Sequence, residues 1–211
     1  MIRLIIADDH AVVREGLERI FMLAADIELA AQVANGDELF QQLRAGANFD
    51  LLLLDMTMPG VNGISLIGNI KALRPNLPIL VFSMHNETSI ALRAIKAGAS
   101  GYLTKDCDPE ILLNAIRKVI NNGTYLTPEL AKHLAFDSLI PDQAAPHTLL
   151  SDREFEVFHM LIASNRLTEI AEHLSISEKT VSSHKHNLMK KLKLHSMSEL
   201  LHYAYEHKLV V

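Results

Sequence analysis

Short apolar segments alternate with amphipathic stretches along the first 122 residues. The apolar segments predict β-strands over Ile2–Ala7, Ile27–Val33, Asp50–Leu54, Ile79–Phe82 and Gly101–Leu103. The stretches between them carry apolar residues at helical spacing. Leucine fills every position from Leu51 to Leu54, which is typical of a central parallel strand covered by helices on both faces. The pattern predicts five βα units forming a doubly wound, five-stranded parallel sheet, with a binding crevice at the carboxyl ends of its strands.

The last 65 residues follow a different pattern, because they contain neither Gly nor Pro, the strongest turn formers. Ser151–Glu154 and Ser196–Glu199 each fit a capping box, in which a serine and a glutamate three residues later begin a helix. A short helix precedes the turn Ser175–Ser177, whose last serine caps a third helix from Glu178 to Lys193. The turn between these two helices predicts a helix-turn-helix in an all-α domain.

A proline-containing segment separates the two patterns. Asp108 and Pro109 predict the start of a helix and Asn122–Gly123 its end, and Thr127 with Pro128 begins a further short helix. We therefore expect a first domain over residues 1–122, a linker with a short helix over 123–147, and a helical domain over 148–211.

The composition excludes several classes of protein. Hydrophobic residues make up 49% of the chain, which suffices for packed cores and excludes disorder over most of it. The single cysteine excludes a disulfide framework and favours a reducing compartment. The first residues lack the pattern of a secretory signal, and no uncharged apolar run approaches the roughly 20 residues of a membrane span. We expect a cytoplasmic protein that does not enter the membrane.

Positive charge is concentrated in one helix although the net charge is −5. Lys179–Ser198 holds five lysines and no acidic residue. At 100° per residue, Val181, Leu188 and Leu192 form a buried stripe. The opposite face and its margins carry Lys179, Ser182, Ser183, His186, Asn187, Lys190 and Lys193. Such a face suits the major groove of double-stranded DNA, and the alternative is an ordinary solvated helix face.

Carboxylates follow two of the predicted strands. Asp8 and Asp9 come directly after the first strand, and Asp55 follows the third. Three uncompensated acids in one crevice repel each other, and Mg²⁺ is the simplest remedy because it takes a few oxygen ligands and retains water. In the alternative, Asp8 or Asp9 only caps the helix that follows.

Two more polar side chains reach the same edge of the sheet. Lys105 follows the fifth strand and Ser83 the fourth. Together with the acids they supply a nucleophilic carboxylate, a metal site, a cation and a hydroxyl, which are the groups that phosphoryl transfer to an aspartate requires. Taken singly, Lys105 would be a solvated surface residue and Ser83 a turn former.

Residues 1 to about 122 resemble the receiver domain of two-component response regulators. The motifs that carry the resemblance are Asp8-Asp9-His10, Leu54–Gly60 with Asn62-Gly63, Ser83, and Ala97-Gly98-Ala99 leading to Gly101–Lys105. The resemblance implies that Asp55 is the phosphoacceptor and that Asp8, Asp9, Asp55 and the backbone carbonyl of Thr57 bind Mg²⁺. It also makes Lys105 the phosphate-binding cation and Ser83 with Tyr102 the switch pair. In this switch the phosphoryl group draws Ser83 inward, and Tyr102 turns into the vacated space.

Residues 149–211 resemble the LuxR-type helix-turn-helix. The matching segments are Leu150–Glu154, Glu169–Ala171, Leu174–Ser177 and Lys179–His184. The resemblance implies that Lys179 and Lys190 meet DNA phosphates, that Ser182, Ser183 and His186 face base edges, and that Thr180 and Asn187 belong to the same surface. It also implies a dimer contact through the last helix, with Leu200, Leu201 and Ala204. The chain departs from the family at Ala163–Thr168, where we expect Asn165 to take the left-handed turn usually made by glycine.

Together these resemblances indicate a response regulator of the NarL/FixJ type. They imply that a sensor histidine kinase phosphorylates Asp55, that a homodimer then binds specific DNA to regulate transcription, and that RNA polymerase is a further partner. One alternative is a phosphatase acting through an aspartyl phosphate. Such enzymes need a second acid two residues after the nucleophile, where this chain has Thr57. A second alternative is a signalling module whose helical tail binds protein, or which works without phosphorylation; the acid-free lysine segment favours DNA.

Overall fold

A computed structural model describes residues 1–58, 63–84, 88–139, 146–174, 176–207 and 209, with the backbone alone at 136–139, 148, 149 and 152. The chain divides into two compact units, Met1–Ala135 and Phe136–Val211. Several residues of the predicted motifs lie outside the described residues, namely Pro59, Gly60, Asn62 and Ser175.

The first unit is a parallel five-stranded sheet with helices on both faces, as predicted. Its strands are β1 (Ile2–Ala7), β2 (Ile27–Val33), β3 (Leu51–Leu54), β4 (Ile79–Ser83) and β5 (Gly101–Thr104). Its helices are α1 (Ala11–Met22), α2 (Gly36–Arg44), α3 (Gly63–Leu73), α4 (Thr88–Lys96) and α5 (Pro109–Asn122). The strand order is β2-β1-β3-β4-β5, so the order of the strands reverses beside β1 and β3. In such a sheet the ligand crevice lies at this reversal.

Alternating side chains of β3 divide the core of this unit into two layers. Leu52 and Leu54 join an apolar cluster with α2, α3 and α4 on one face of the sheet. Leu51 and Leu53 join a second cluster with α1 and α5 on the other face. All four leucines are fully buried or nearly so, because a central parallel strand is covered on both sides.

A further helix, α6 (Pro128–Leu139), begins in the first unit and ends in the second. The Leu130 amide donates to the Thr127 hydroxyl at 3.3 Å, in agreement with the predicted cap at Thr127. The preceding helix α5 ends at Gly123, which has the left-handed backbone that favours glycine (φ 78°).

The second unit contains α7 (Asp152–Ile162), α8 (Leu167–His173), α9 (Glu178–Leu192) and α10 (Met197–Glu206), preceded by a 3₁₀ helix over Pro146–Leu149. The predicted capping box at Ser151 is complete, because Ser151 and Glu154 exchange hydrogen bonds. At α10, Ser196 accepts from the Glu199 amide as predicted, but the Glu199 carboxylate accepts from the amide of His195 rather than that of Ser196.

The turn between α7 and α8 differs from the expectation, because Ser164 and not Asn165 has the left-handed backbone (φ 64°). The amide of Ser164 bonds to the Leu161 carbonyl and that of Asn165 to the Met160 carbonyl, the pair of bonds that ends a helix in a Schellman motif. In this motif the bond that spans five residues starts from the residue after the left-handed one. The bond from Asn165 to Met160 therefore places the left-handed residue at Ser164. Asn165 strengthens the turn through its side-chain amide, which also donates to Met160 O at 3.1 Å.

Helix α8 begins without a Ser, Thr, Asn or Asp cap, since Arg166 precedes Leu167. The Arg166 amide instead donates to the Glu169 carboxylate at 2.7 Å, which satisfies one of the free donors at this helix start. None of the helices in the described ranges has the length and apolar character needed to cross a membrane.

Candidate functional site

The predicted acids meet at the carboxyl ends of β1 and β3. Ala7 and Leu54 are paired in the sheet, and the Asp55 amide donates to the Ala7 carbonyl at 2.8 Å, so the residues that follow are neighbours. Asp8 and Asp55 are 2% and 1% exposed, and one ligand atom each from Asp8, Asp9, His10 and Asp55 lies within 4.8 Å of the others. The sheet register therefore assembles the acid pocket, meaning Asp8, Asp9 and Asp55.

Lys105 bridges two of these acids. Its Nζ lies 2.7 Å from Asp8 Oδ2 and 2.8 Å from Asp55 Oδ2, and its side chain is 4% exposed. Burial lowers the pKa of Lys105, but hydrogen bonds and charge attraction from Asp55 and Asp8 outweigh burial, so the pKa lies above its ordinary value. The ammonium remains charged and partly neutralises the pocket.

Thr57 holds the Asp55 carboxylate from the other side. Its hydroxyl lies 3.0 Å from each Asp55 oxygen, and its amide donates to Oδ1 at 3.2 Å. The sequence prediction gave Thr57 a role through its backbone carbonyl alone. The hydroxyl contact depends on a side-chain rotamer, which no pattern of residue types reveals.

His10 also belongs to the site, although its position in the sequence predicted no role for it. Its Nδ1 lies 2.8 Å from Asp9 Oδ1 and 3.3 Å from Asp8 Oδ1. Asp8 Oδ1 accepts from the His10 amide at 2.9 Å, so Asp8 supports the start of α1 as well as facing Lys105. The N-cap residue of α1 is His10, and its side chain makes no capping bond. The structure therefore does not support the alternative in which Asp8 or Asp9 only caps this helix.

The donor set fits a hard divalent cation. Three carboxylates converge, and Asp9 Oδ1 is a buried oxygen that faces the His10 ring nitrogen at 2.8 Å. Carboxylate oxygens are the ligands Mg²⁺ prefers, and the cation retains several waters.

The two predicted switch residues lie on neighbouring strands. Ser83, the last residue of β4, is fully buried, and Tyr102 on β5 is 6% exposed. The Lys105 amide donates to the Ser83 carbonyl at 2.8 Å, which ties the ends of the two strands together. Tyr102 joins the apolar cluster that contains α4 and Leu130 of α6.

Helix α9 presents the predicted polar face to solvent. Val181, Leu188 and Leu192 are 0%, 0% and 5% exposed and form the buried stripe. All seven predicted DNA-contact residues are exposed: Lys179, Thr180, Ser182, Ser183, His186, Asn187 and Lys190. A groove along the C-terminal half of α9 is lined in addition by Lys185, Lys193 and His195, which the predicted contact set omitted. Lys185 is half-buried, in keeping with its place near the apolar stripe.

Each half of the chain matches a known protein family. Residues 4–117 match the response regulator receiver domain, and residues 148–204 match the LuxR family of bacterial regulatory proteins. The chain belongs to the NarL/FixJ family of two-component response regulators.

Relatives in this family align over nearly their whole length. Response regulator UvrY of Escherichia coli is 32% identical over 99% of this chain and 96% of its own. The oxygen regulatory protein NreC of Staphylococcus carnosus is 33% identical over 99% of each chain. Among solved structures, RcsB of Salmonella enterica serovar Typhimurium, bound to promoter rprA in the presence of the phosphomimetic BeF₃⁻, aligns with a TM-score of 0.66 and 27% identity, covering 96% of this chain and 98% of that one.

In this response regulator, an ion pair between an exposed lysine and a buried carboxylate links α9 to α7. Lys191 Nζ lies 2.6 Å from Glu154 Oε2, and Glu154 is 5% exposed. Burial raises the pKa of Glu154, but bonds from Lys191 and Ser151 outweigh it, so the pKa lies below its ordinary value. The same carboxylate caps α7 and orients the face of α9 that carries the lysines.

Helix α10, the predicted dimer contact of the response regulator, has two faces. Leu200 and Ala204 are fully buried within their own unit, whereas Leu201 and Tyr205 are 42% and 77% exposed. A partner approaching α10 would therefore meet Leu201 and Tyr205, while Leu200 and Ala204 hold the helix in place.

Proposed function

We propose that a sensor histidine kinase phosphorylates Asp55 and that this controls dimerisation and sequence-specific DNA binding, and so transcription. The observation that carries the proposal is Lys105, a buried cation held between Asp8 and Asp55 at the carboxyl ends of paired strands. The domains are a receiver over 1–122, a linker over 123–147 and a DNA-binding domain over 148–211. The family matches at 4–117 and 148–204 support this division.

In the phosphorylation step, an oxygen of Asp55 attacks the phosphorus of the kinase's phosphohistidine. A new O–P bond forms as the N–P bond breaks, and the histidine leaves with its electron pair. Thr57 and Lys105 orient the carboxylate for attack through the contacts they make with it. Lys105 then exchanges its contact with Asp55 for a phosphoryl oxygen, which keeps the charge of the pocket partly neutralised.

Asp8, Asp9, Asp55 and the Thr57 carbonyl would hold Mg²⁺, in agreement with the donor set of the acid pocket. The cation would neutralise charge on the transferred group. The phosphoryl oxygens attract the Ser83 hydroxyl, and Tyr102 follows toward the space that Ser83 leaves.

At the second unit, the exposed face of α9 enters the major groove of double-stranded DNA. Lys179 and Lys190 contact phosphates, Ser182, Ser183 and His186 face base edges, and Thr180 and Asn187 lie beside them. RcsB in complex with promoter DNA, over nearly the same length of chain, supports this assignment. A homodimer presents two such helices to half-sites about one helical turn, or a multiple of it, apart. The regulator acts in the cytoplasm, without enzymatic turnover of its own, and RNA polymerase is its further partner.

Replacement of Asp55 tests this proposal. Asp55→Asn should abolish dimerisation and tighter operator binding in response to acetyl phosphate and Mg²⁺, measured by light scattering and DNA titration. Asp50→Asn is the matched control, because Asp50 is an exposed acid of the same unit outside the pocket. Dimerisation of Asp55→Asn that still increases with the phosphodonor would contradict the proposal.

A further inference from the structure

The segment after α5 covers the open edge of β5. The Tyr125 amide donates to the Ser100 carbonyl at 2.8 Å, and Tyr125 pairs with Gly101 as an isolated parallel bridge. A Cβ on Gly101 would lie 2.9 Å from the Tyr125 carbonyl oxygen, so glycine is what permits this close approach. The start of the linker thus lies beside the edge strand at this point.

Helix α6 continues from this segment, and Leu130 is its one buried side chain among residues 128–135. Leu130 is 5% exposed, and Leu134 is half-buried. Leu130 belongs to the same apolar cluster as Tyr102 and Ala91. One buried leucine is a weak attachment compared with α5, which buries four residues.

A small pocket of about 170 Å³ lies beside Leu130. The pocket lies between α4, β5 and the start of α6. Its lining includes Thr88, Ala91, Tyr102, Thr127 and Leu130. A space of this size is about that of an aromatic ring. The packing between Tyr102 and Leu130 is therefore incomplete on this side of the cluster.

We infer that Leu130 is the residue through which the linker helix responds to the state of the receiver. The inference rests on the proposed function, because the signal at Tyr102 begins with phosphorylation of Asp55. When Tyr102 turns toward Ser83, Leu130 loses a neighbour in its cluster and the first turn of α6 is released. Because α6 ends beyond the first unit, its release frees the chain that leads into residues 136–211.

Hydrogen exchange of residues 128–135 in the full chain measures this release directly. Beryllium fluoride with Mg²⁺ serves as the phosphoryl mimic, and ¹⁹F NMR reports whether it is bound. In the wild type, the amides of this segment should exchange about tenfold faster once the mimic is bound. Leu130→Ala should exchange fast from the start and show no further change, and Tyr102→Ala should lose the response.

Leu113→Ala is the matched control, because Leu113 lies on α5 at the rim of the other apolar layer. It destabilises the same unit and should keep the response to the mimic. Leu130→Val, which shortens the side chain by one carbon, replaces Leu130→Ala if the larger change prevents folding, and should show a reduced response.

Unchanged or slower exchange in the wild type with the mimic bound would overturn the inference and leave the proposed function standing. An equal response in wild type and the Leu130 variants would also overturn it, since α6 would then be released by another route. Absence of bound mimic would contradict the proposed function itself, and the inference with it.

Discussion

At the scale of single residues, the charge of the acid pocket depends on the lysine that lies between two of its carboxylates. Lys105 contacts both Asp8 and Asp55, and Thr57 holds Asp55 from the opposite side. Two buried acids this close would be costly without a cation. Lys105 thus allows the pocket to remain folded before a metal or phosphoryl group arrives, and it competes with an incoming cation for the same oxygens.

Lys105→Met should therefore bind Mg²⁺ more tightly than the wild type, by about tenfold or more, because a repelling charge within a few ångströms is removed. Isothermal titration calorimetry measures the affinity. Lys118→Met removes one exposed charge elsewhere in the unit and should leave the affinity nearly unchanged. Weaker Mg²⁺ binding by Lys105→Met would show that the ammonium supports the metal site rather than competing with it.

The sequence suffices to predict which residues share this pocket, but not all of their contacts. Parallel strands bring Asp8, Asp55 and Lys105 to one edge, and strand positions can be read from apolar runs. The Thr57 hydroxyl and the His10 ring act through side-chain geometry, which residue spacing leaves open. The left-handed residue at Ser164 was missed for a similar reason, since it depends on where the helix before it ends.

At the scale of elements, the hydrophobic pattern was sufficient to predict the strands, but it could not predict contacts that depend on a single residue. The five strands lie within one residue of their predicted ends, because each is a short apolar run between polar turns. The docking of α6 could not be predicted, since one buried leucine produces no apolar stripe. The bridge between Gly101 and Tyr125 could not be predicted either, because it joins a residue of β5 to a residue of the linker.

Gly101→Ala should destabilise the receiver by about 1–3 kcal/mol, because the added methyl would meet Leu80 and Tyr125 at 2.9 Å each. Urea denaturation of the full chain measures the change. Gly68→Ala is the control: Gly68 lies inside α3, a Cβ there meets nothing within 4 Å, and alanine should stabilise the helix by about 1 kcal/mol. Equal effects of the two substitutions would refute the close approach at Gly101.

Glu154→Gln should cost the second unit about 1–2 kcal/mol at pH 7, because it removes the charge that pairs with Lys191 and caps α7. The pKa of Glu154 is lowered in the folded state, so its contribution is fully present above its ordinary value of 4.5 and is lost as the pH falls through the folded value. The difference between wild type and variant should shrink below pH 4.5.

Chemical denaturation between pH 3 and pH 7 checks this dependence. Glu172→Gln, which changes an exposed glutamate of the same unit, should show no such difference. A loss in Glu154→Gln that stays constant down to pH 3 would mean that the charge of Glu154 has no part in holding α9.

At the scale of the whole molecule, an acidic protein carries a basic, exposed face on one helix. The net charge is −5, yet α9 exposes Lys179 and Lys190 on the face that bears the predicted DNA contacts. Local charge and not the average governs an encounter with DNA, because salt screens charges beyond about 10 Å. The acid pocket thus belongs to the first unit and the basic face of α9 to the second.

Lys190→Ala should weaken DNA binding about equally for all sequences and reduce the slope of log K against log salt by about one, because one phosphate contact is lost. Titrations of the phosphorylated protein against operator and random DNA at several salt concentrations measure both. Lys118→Ala, in the first unit, should leave the slope unchanged. A salt slope that is the same in wild type and Lys190→Ala would remove Lys190 from the interface.

The central claim is that Asp55 accepts a phosphoryl group with the help of a metal bound by its neighbours. Intact mass spectrometry after incubation with acetyl phosphate and Mg²⁺ tests it most directly. One phosphoryl group should be added to the wild type, and none to Asp55→Asn or to a sample with EDTA. An adduct on Asp55→Asn, or one that forms equally well with EDTA, would contradict the account of this pocket.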